Sequence, residues 1–231
     1  MEITPDHLVL WRWGFLQLNA TVIFTWAVML LLVLAAWLAT RKIAVEGPRS
    51  AWATALEAIV AGIRNQVREI SGGLQGDACL PFVGTLFLFI LVSNELDMVP
   101  GWHAPTGSLS TTAALAICVA VAVPFFGIRK AGLKGYLHHY LSPTAFMAPF
   151  HIVSEISRTL ALAVRLFGNI MSGSMVVAIL LALAPLFFPV LMQVLGLLIG
   201  LIQAYIFAVL AMVYIAAAIR RQEDLPQEQK Q

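Results

Sequence analysis

The chain has 231 residues, of which 60% are hydrophobic and only 11% are charged, and its formal net charge is +2. Because soluble domains carry about a quarter charged residues, this composition excludes a water-soluble globule and indicates an integral membrane protein. The small net charge gives no indication of nucleic-acid binding. The two cysteines, Cys79 and Cys118, are far apart without metal-ligand spacing, so the sequence predicts no metal site, no cofactor and no disulfide.

Apolar stretches long enough to cross a bilayer recur five times along the chain. About 20 helical residues span a hydrocarbon core of about 30 Å. The predicted spans cover residues 21–40, 80–99, 110–128, 151–183 and 190–219. The last two exceed the thickness of the bilayer core, so we expect them to tilt strongly and to form a long helical hairpin. The predicted fold is an all-α membrane protein, a single integral membrane domain.

The segment between the first two spans has a different pattern. Residues 51–70 place apolar side chains at helical spacing and put Arg64 and Arg68 elsewhere. This pattern predicts an amphipathic helix on the cytoplasmic membrane surface, or an ordinary cytoplasmic connector. Lys and Arg follow the first and third spans and begin the polar tail of residues 220–231. By the positive-inside rule, the N-terminus is predicted to lie outside and the C-terminus in the cytoplasm.

Two arginines lie inside the fourth predicted span. An arginine at the bilayer centre costs about 3 kcal/mol on insertion scales, and its guanidinium keeps its proton. Arg158 lies nearer the cytoplasmic end and has Glu155 one turn earlier, so it is either a structural ion pair or part of an ion path. Arg165 is deeper and has no acidic residue one turn away. It is therefore either a functional charge or the partner of Glu95 or Asp97.

Helical geometry, at about 100° per residue, adds polar neighbours to these arginines. One face of the fourth span contains Arg158, Arg165, Asn169, Ser172 and Val176. One face of the fifth span contains Gln193, Gly196, Gly200, Gln203, Phe207 and Tyr214. Ordinary packing of small residues explains the glycines. It does not explain a fixed positive charge in an apolar helix.

Three blocks of the sequence together resemble subunit a of F-type ATP synthases. They are Glu155-Ile-Ser-Arg158 with Arg165-Leu-Phe-Gly-Asn169, Gln203-Ala-Tyr-Ile-Phe-Ala-Val-Leu with Tyr214 further along, and Asn94-Glu95-Leu-Asp97-Met-Val-Pro100. The resemblance covers about residues 80–219. The arginine and glutamine blocks occur in the same order and on adjacent spans, which makes the resemblance specific.

The resemblance implies the ion-conducting stator subunit of an ATP synthase in a bacterial inner membrane. Such a subunit translocates ions through two half-channels beside a rotating ring, and each ring subunit carries a membrane-embedded carboxylate. It couples the ion gradient to ATP synthesis or ATP-driven pumping and performs no ATP chemistry itself. The implied partners are the c-ring, the peripheral stalk subunit b, the rest of the complex and the lipid bilayer.

The resemblance also implies which residues take part in ion translocation. Arg165 would face the ring, with Asn169 and Gln203 as polar neighbours. Other residues would line the ion path on either side of this group. The implied set is Arg165, Asn169, Gln203, Ser174, Glu95, Asp97, Glu155, Arg158 and Tyr214. Of these, Glu95 and Asp97 would line the outer entrance, and Glu155 and Arg158 would lie nearer the cytoplasmic exit.

The sequence departs from the family at the ion inlet. Many members have a glutamate nine residues after the key arginine and a histidine seven residues before the glutamine, or the reverse. Here these positions are Ser174 and Gly196, and neither side chain titrates. The inlet would then depend on water, on Ser174 and Gln193, or on the acidic pair before Pro100. Protons are the favoured ion on family frequency, and a sodium-translocating version is the alternative.

Three other classes of protein compete with this interpretation. A secondary transporter could use the arginine to bind an anionic substrate, but such folds usually have internal repeats and broken helices, which this sequence does not show. An intramembrane protease using Ser172 or Ser174 would lack an obvious base, because the fifth span contains no histidine. A purely structural membrane anchor would leave Arg165 unexplained.

Overall fold

A computed structural model describes most of the chain. The described residues are 9–13, 16–41, 51–71, 76–99, 102–141, 148–183 and 188–220. Nearly all of the predicted polar tail, from residue 221 onward, lies outside these ranges.

The structure begins with a short antiparallel strand pair. Strand β1 is Val9–Trp13 and strand β2 is Leu16–Asn19, and their register pairs Trp13 with Leu16 and Arg12 with Gln17. The sequence analysis did not predict this pair. Helix α1 follows β2 directly, because its apolar run starts at Ala20.

Six α-helices form the rest of the described chain, and five of them are long and apolar enough to cross a membrane. Their bounds are α1 Ala20–Arg41, α2 Ala51–Ser71, α3 Gly76–Glu95, α4 Leu109–Leu141, α5 Ala148–Leu183 and α6 Phe188–Arg220. Two 3₁₀ helices, Leu96–Met98 and Pro105–Gly107, connect α3 to α4. The predicted all-α membrane fold with five spans is confirmed. The apolar parts of α5 and α6 run for 35 and 30 residues.

Helix α6 lies at the centre of the packing and contacts α2, α3, α4 and α5. One cluster of buried side chains joins it to the spanning helices and includes Val28, Ile90, Leu162, Leu166 and Phe207. Within a bilayer, close van der Waals packing of these side chains holds the helices together, because lipid is as apolar as they are. Helix α1 is peripheral and packs mainly against α3.

A second cluster attaches α2 to the bundle. It contains Val67 of α2, Val83 of α3, and Met212 and Ile215 of α6. The helix predicted for residues 51–70 is therefore present, and the end of its apolar face packs against protein. Val60, on the same predicted face, is exposed. The location of α2 at the membrane surface stays a prediction.

Helix α4 extends beyond the predicted third span. That span was predicted to end at residue 128, before Arg129 and Lys130, whereas the chain continues helically to Leu141. The charges end the apolar stretch but not the helix, because Arg and Lys are good helix formers. The break in regularity comes at Gly132, where φ is 75° and ψ is 162°. This backbone conformation is essentially restricted to glycine.

We predict that Gly132→Ala lowers the thermal unfolding midpoint of the purified protein. The added Cβ meets no atom within 4 Å, so the loss reflects backbone strain alone, of about 1–3 kcal/mol. Gly62→Ala is the matched control, because Gly62 is helical and equally unobstructed. In a helix this change leaves the midpoint equal or higher. An unchanged midpoint for Gly132→Ala would contradict the kink.

Candidate functional site

A side-chain hydrogen bond joins the two long helices near their middle. Asn169 Nδ2 of α5 donates to Gln203 Oε1 of α6 at 2.5 Å, across 34 residues of sequence. Gln203 is only 2% exposed, and a hydrogen bond is stronger in such surroundings than in water. The Nε2 of Gln203 has no acceptor among the described residues. This buried amide therefore has one donor without a partner among the described residues.

Arg165 lies one turn before Asn169 on α5. Leu162 and Leu166 beside it are buried in the bundle, whereas Arg165 is exposed and Val164 next to it is 52% exposed. Arg165 therefore stands on an apolar outer surface. Within the described ranges no carboxylate forms an ion pair with it, so the alternative of a salt bridge to Glu95 or Asp97 is not observed.

A second polar contact fixes α6 against α3. Asn94 of α3 is buried, and its Nδ2 donates to the backbone oxygen of Gly200 at 3.1 Å. Its Oδ1 accepts a hydrogen bond of 2.7 Å from Oγ1 of Thr106, which is fully buried in the second 3₁₀ helix. One amide thus connects α3, α6 and the connection to α4. The sequence analysis named Asn94 only as part of a family block.

Gly200 makes this approach of α3 and α6 possible. A Cβ at that position would lie 3.0 Å from Cβ of Asn94, closer than side chains normally approach. Gly200 precedes Gln203 by three residues, about one turn of helix. The contact at Gly200 therefore sets the depth at which Gln203 meets Asn169.

A cleft of about 380 Å³ opens between α5, α6 and the C-terminal end of α3, and its mostly apolar wall carries several polar side chains. We call it the polar cleft. Its hydrogen-bonding side chains include Asp97, His103, Asn169, Ser174, Gln193 and Gln203. The cleft extends from the connection between α3 and α4 to the Asn169–Gln203 pair. Its volume is sufficient for several water molecules.

Most of the positions predicted to line an ion inlet line the polar cleft, whereas Glu95 does not. Asp97 lies at the cleft and accepts a 3.0 Å hydrogen bond from the backbone N–H of Ala104. Ser174 also lines the cleft, and its hydroxyl donates to the oxygen of Ile170 in its own helix at 2.9 Å. Gly196 lies opposite on α6. Glu95 is half-buried and does not line the cleft.

The remaining candidate residues lie at the other end of α5 and α6. The guanidinium of Arg158 lies 5.4 Å from the ring centroid of Tyr214, a cation–π contact between the two helices. Glu155 lies one turn before Arg158, and its backbone oxygen accepts a 2.9 Å hydrogen bond from Thr159. Tyr214 follows Gln203 by eleven residues, or about 16 Å of helix. These residues form a group separate from the polar cleft.

The fold and this arrangement define a polytopic membrane protein with a cleft between its two long helices and an exposed arginine one turn away. Comparison with known proteins gives the family. The sequence matches the ATP synthase A chain family over residues 22–216. It is 58% identical to ATP synthase subunit a 2 of Acaryochloris marina over 218 residues, covering 94% of this chain and 93% of that protein.

Two further relatives agree with this match. The chain is 56% identical to ATP synthase subunit a 1 of Crocosphaera subtropica, covering 96% of each protein. It is 54% identical to ATP synthase subunit a of Albidiferax ferrireducens, covering 98% of each. The chain belongs to the ATP synthase A chain family. It is therefore a multi-pass bacterial membrane protein of the ATP synthase complex that takes part in ion translocation.

We predict that Gly200→Ala destabilises the protein and separates α3 from α6. The added methyl group would lie 3.0 Å from Cβ of Asn94, so Asn94 must shift by a few tenths of an ångström, and overpacking of this kind costs about 1–3 kcal/mol. The measurement is the thermal unfolding midpoint of the purified complex. Gly196→Ala, on the same helix with no atom within 4 Å of the new Cβ, serves as the stability control. Equal midpoints for the two variants would show that the Asn94 contact is absent.

Proposed function

We propose that the chain translocates protons at its contact with a rotating ring, with Arg165 as the stator charge. The observation that carries this proposal is the position of Arg165. It lies on an apolar outer surface, one turn from the Asn169–Gln203 pair at the inner end of the polar cleft. An ion path through the protein and a fixed positive charge on its surface therefore adjoin each other.

The surface around Arg165 fits a partner inside the membrane. Only 6% of the residues in the most apolar stretch of α5 are buried within the chain, compared with 39% in the corresponding stretch of α3. Val164, next to Arg165 on α5, is 52% exposed, and Val176, on the same face of α5 as Arg165, is 40% exposed. Lipid alone would satisfy these apolar side chains, but it would leave the guanidinium without a counterion. A ring of subunits with membrane-embedded carboxylates supplies both the apolar contact and the negative charge.

The proposed role of Arg165 follows from its permanent charge. A positive charge within about 4–6 Å of a carboxylate lowers the carboxylate pKa by one to three units. Each arriving ring carboxylate would therefore release its proton near Arg165. A cation moving directly between the two half-channels would meet the same charge, which prevents a leak. The guanidinium keeps its proton throughout, since its pKa exceeds about 12.

The polar cleft supports an outer half-channel in this scheme. With the N-terminus outside and the C-terminus in the cytoplasm of a bacterial inner membrane, the connection between α3 and α4 faces outward. Asp97 and Ser174 then lie on the outer path, while Glu155, Arg158 and Tyr214 lie towards the cytoplasmic exit. Each charge that crosses is worth about 2.3 kcal/mol per 100 mV. This energy would reach the ATP-forming part of the complex through rotation, with subunit b holding the stator still.

We predict that Arg165→Ala abolishes ATP-driven acidification in inverted membrane vesicles while the complex still assembles. Without the charge, ring carboxylates retain their protons at the stator, and the barrier between the half-channels is lost. The control is Arg129→Gln, which removes an exposed arginine at the end of the α4 span. This control keeps wild-type pumping. Acidification that persists in Arg165→Ala would refute the assigned role.

The absence of titratable side chains at Ser174 and Gly196 favours sodium as the alternative ion. We predict that ATP-driven transport in wild-type vesicles is the same with and without sodium, because the proposed path carries protons. Transport is followed by acidification and, in parallel, by uptake of labelled sodium. Stimulation by sodium, or sodium uptake coupled to ATP hydrolysis, would reverse the assignment of the ion.

A further inference from the structure

The polar cleft contains two titratable side chains among the described residues that line it, Asp97 and His103. The sequence analysis assigned no role to His103. Helices α5 and α6 contribute four polar side chains to the cleft that do not titrate, namely Asn169, Ser174, Gln193 and Gln203. If protons enter by this cleft, protein groups can therefore bind them at Asp97 and His103, and further inward they move through water and amides.

The fold holds these two side chains together at the mouth of the cleft. Asp97 Oδ1 accepts the N–H of Ala104 at 3.0 Å, which folds the connection back on the end of α3. His103 directly precedes Ala104 and lines the same cleft as Asp97. On its other side, the imidazole stacks on Phe24 of α1, with ring centroids 6.4 Å apart and 24° between the planes.

Few other charges surround this pair. The described part of α1 has its one charged residue, Arg41, at the far end of the helix. Glu95 precedes Asp97 but does not line the cleft. Strand β2 carries no charge, and Arg12 of β1 lies outside the described side chains, as do Glu2, Asp6 and His7. Among the groups described, Asp97 is the carboxylate that faces His103.

We propose that His103 and Asp97 form the proton-collecting pair of the outer half-channel. His103 binds a proton from the outer medium at a ring nitrogen. It then gives this proton to a carboxylate oxygen of Asp97 or to water in the cleft, and returns to the neutral imidazole. The proton leaves Asp97 for water in the cleft, which Gln203 also lines. This inference rests on the proposed proton function of the chain.

Histidine suits this task because it gains and loses a proton between about pH 5 and 8. The pair also accounts for the departure at Ser174 and Gly196. The titratable groups are absent deep in the membrane, and a titratable pair is present at the entrance instead. Water in the cleft then carries the proton over the remaining distance to the stator charge.

The test measures proton flux into the outer half-channel of the whole ATP synthase reconstituted in liposomes. Flux is driven by a potassium–valinomycin potential and recorded as the pH on the outer face of the protein varies from about 5.5 to 8. In the wild type we expect flux to rise as this pH falls through the histidine range. His103→Gln should lower the flux about tenfold. This is a smaller effect than a full loss of acid–base catalysis would have, because water still fills the cleft. It should also remove the dependence on pH.

Two further variants separate proton transfer from packing. His103→Phe keeps an aromatic ring against Phe24 but cannot bind a proton, so it should behave like His103→Gln. Asp97→Asn keeps an oxygen to accept the N–H of Ala104 but does not titrate, and it should lower the flux by a similar factor. The double variant His103→Gln with Asp97→Asn should be no slower than either single variant, because both act in one step.

Distinct results would overturn the proposal. Wild-type flux for His103→Phe would show that the ring serves packing alone, and a wild-type flux independent of outer pH would exclude a titrating entrance. The pH dependence of the wild type decides the question even if a variant fails to assemble. If the chain translocates sodium rather than protons, the result is different, because the flux then requires sodium. In that case Arg165→Ala would still stop transport while His103→Gln would not affect it.

Discussion

The depth of α6 within the bundle depends on amide side chains that are buried among apolar helices. Asn94 binds the backbone of Gly200, and Asn169 binds Gln203 one turn further along. An amide left without partners in such surroundings costs about 1–3 kcal/mol, so sliding α6 by a residue would be penalised at both contacts at once. Hydrophobic packing brings the helices together without a strict register. These hydrogen bonds select the register at which the polar cleft ends beside Arg165.

Whereas these amides lie inside the bundle, Arg165 lies on its outer surface. The same helix α5 directs Leu162 and Leu166 into the core and leaves Arg165 on the outside. The hydrogen-bonded interior and the charged exterior are therefore one turn apart on a single rigid element. The cleft that ends at Asn169 thereby lies next to the charge on the same helix, and sites on helices hold their geometry more closely than sites on loops.

Much of the fold could be predicted because its physical causes are local in sequence. The length of each apolar run determines a span, and the surplus length of the last two gave the long hairpin. The predicted third span of residues 110–128 agrees with the observed apolar stretch Leu109–Lys130, and the helical residues beyond it were not predicted, because charge marks the edge of a membrane rather than the end of a helix. The strand pair before α1 was missed as well.

In the site, Arg165, Asn169 and Gln203 are visible as polar residues in apolar tracts. The bond from Asn94 to Gly200 joins residues 106 positions apart, and the nearness of His103 to Asp97 depends on the fold of the connection. Neither is encoded in a local pattern.

The attachment of α2 has a mechanical consequence. In the proposed mechanism, a ring that turned against α5 and α6 would exert a sideways load on them, and a helix held only by lipid would bend under it. Val67 of α2 packs with Met212 and Ile215 of α6, and the same cluster includes Val83 of α3. Helix α2 thus acts as a brace between two spanning helices, and load applied to α6 is shared with α3. In that mechanism, this packing would limit how far Gln203 and Asn169 separate under the load.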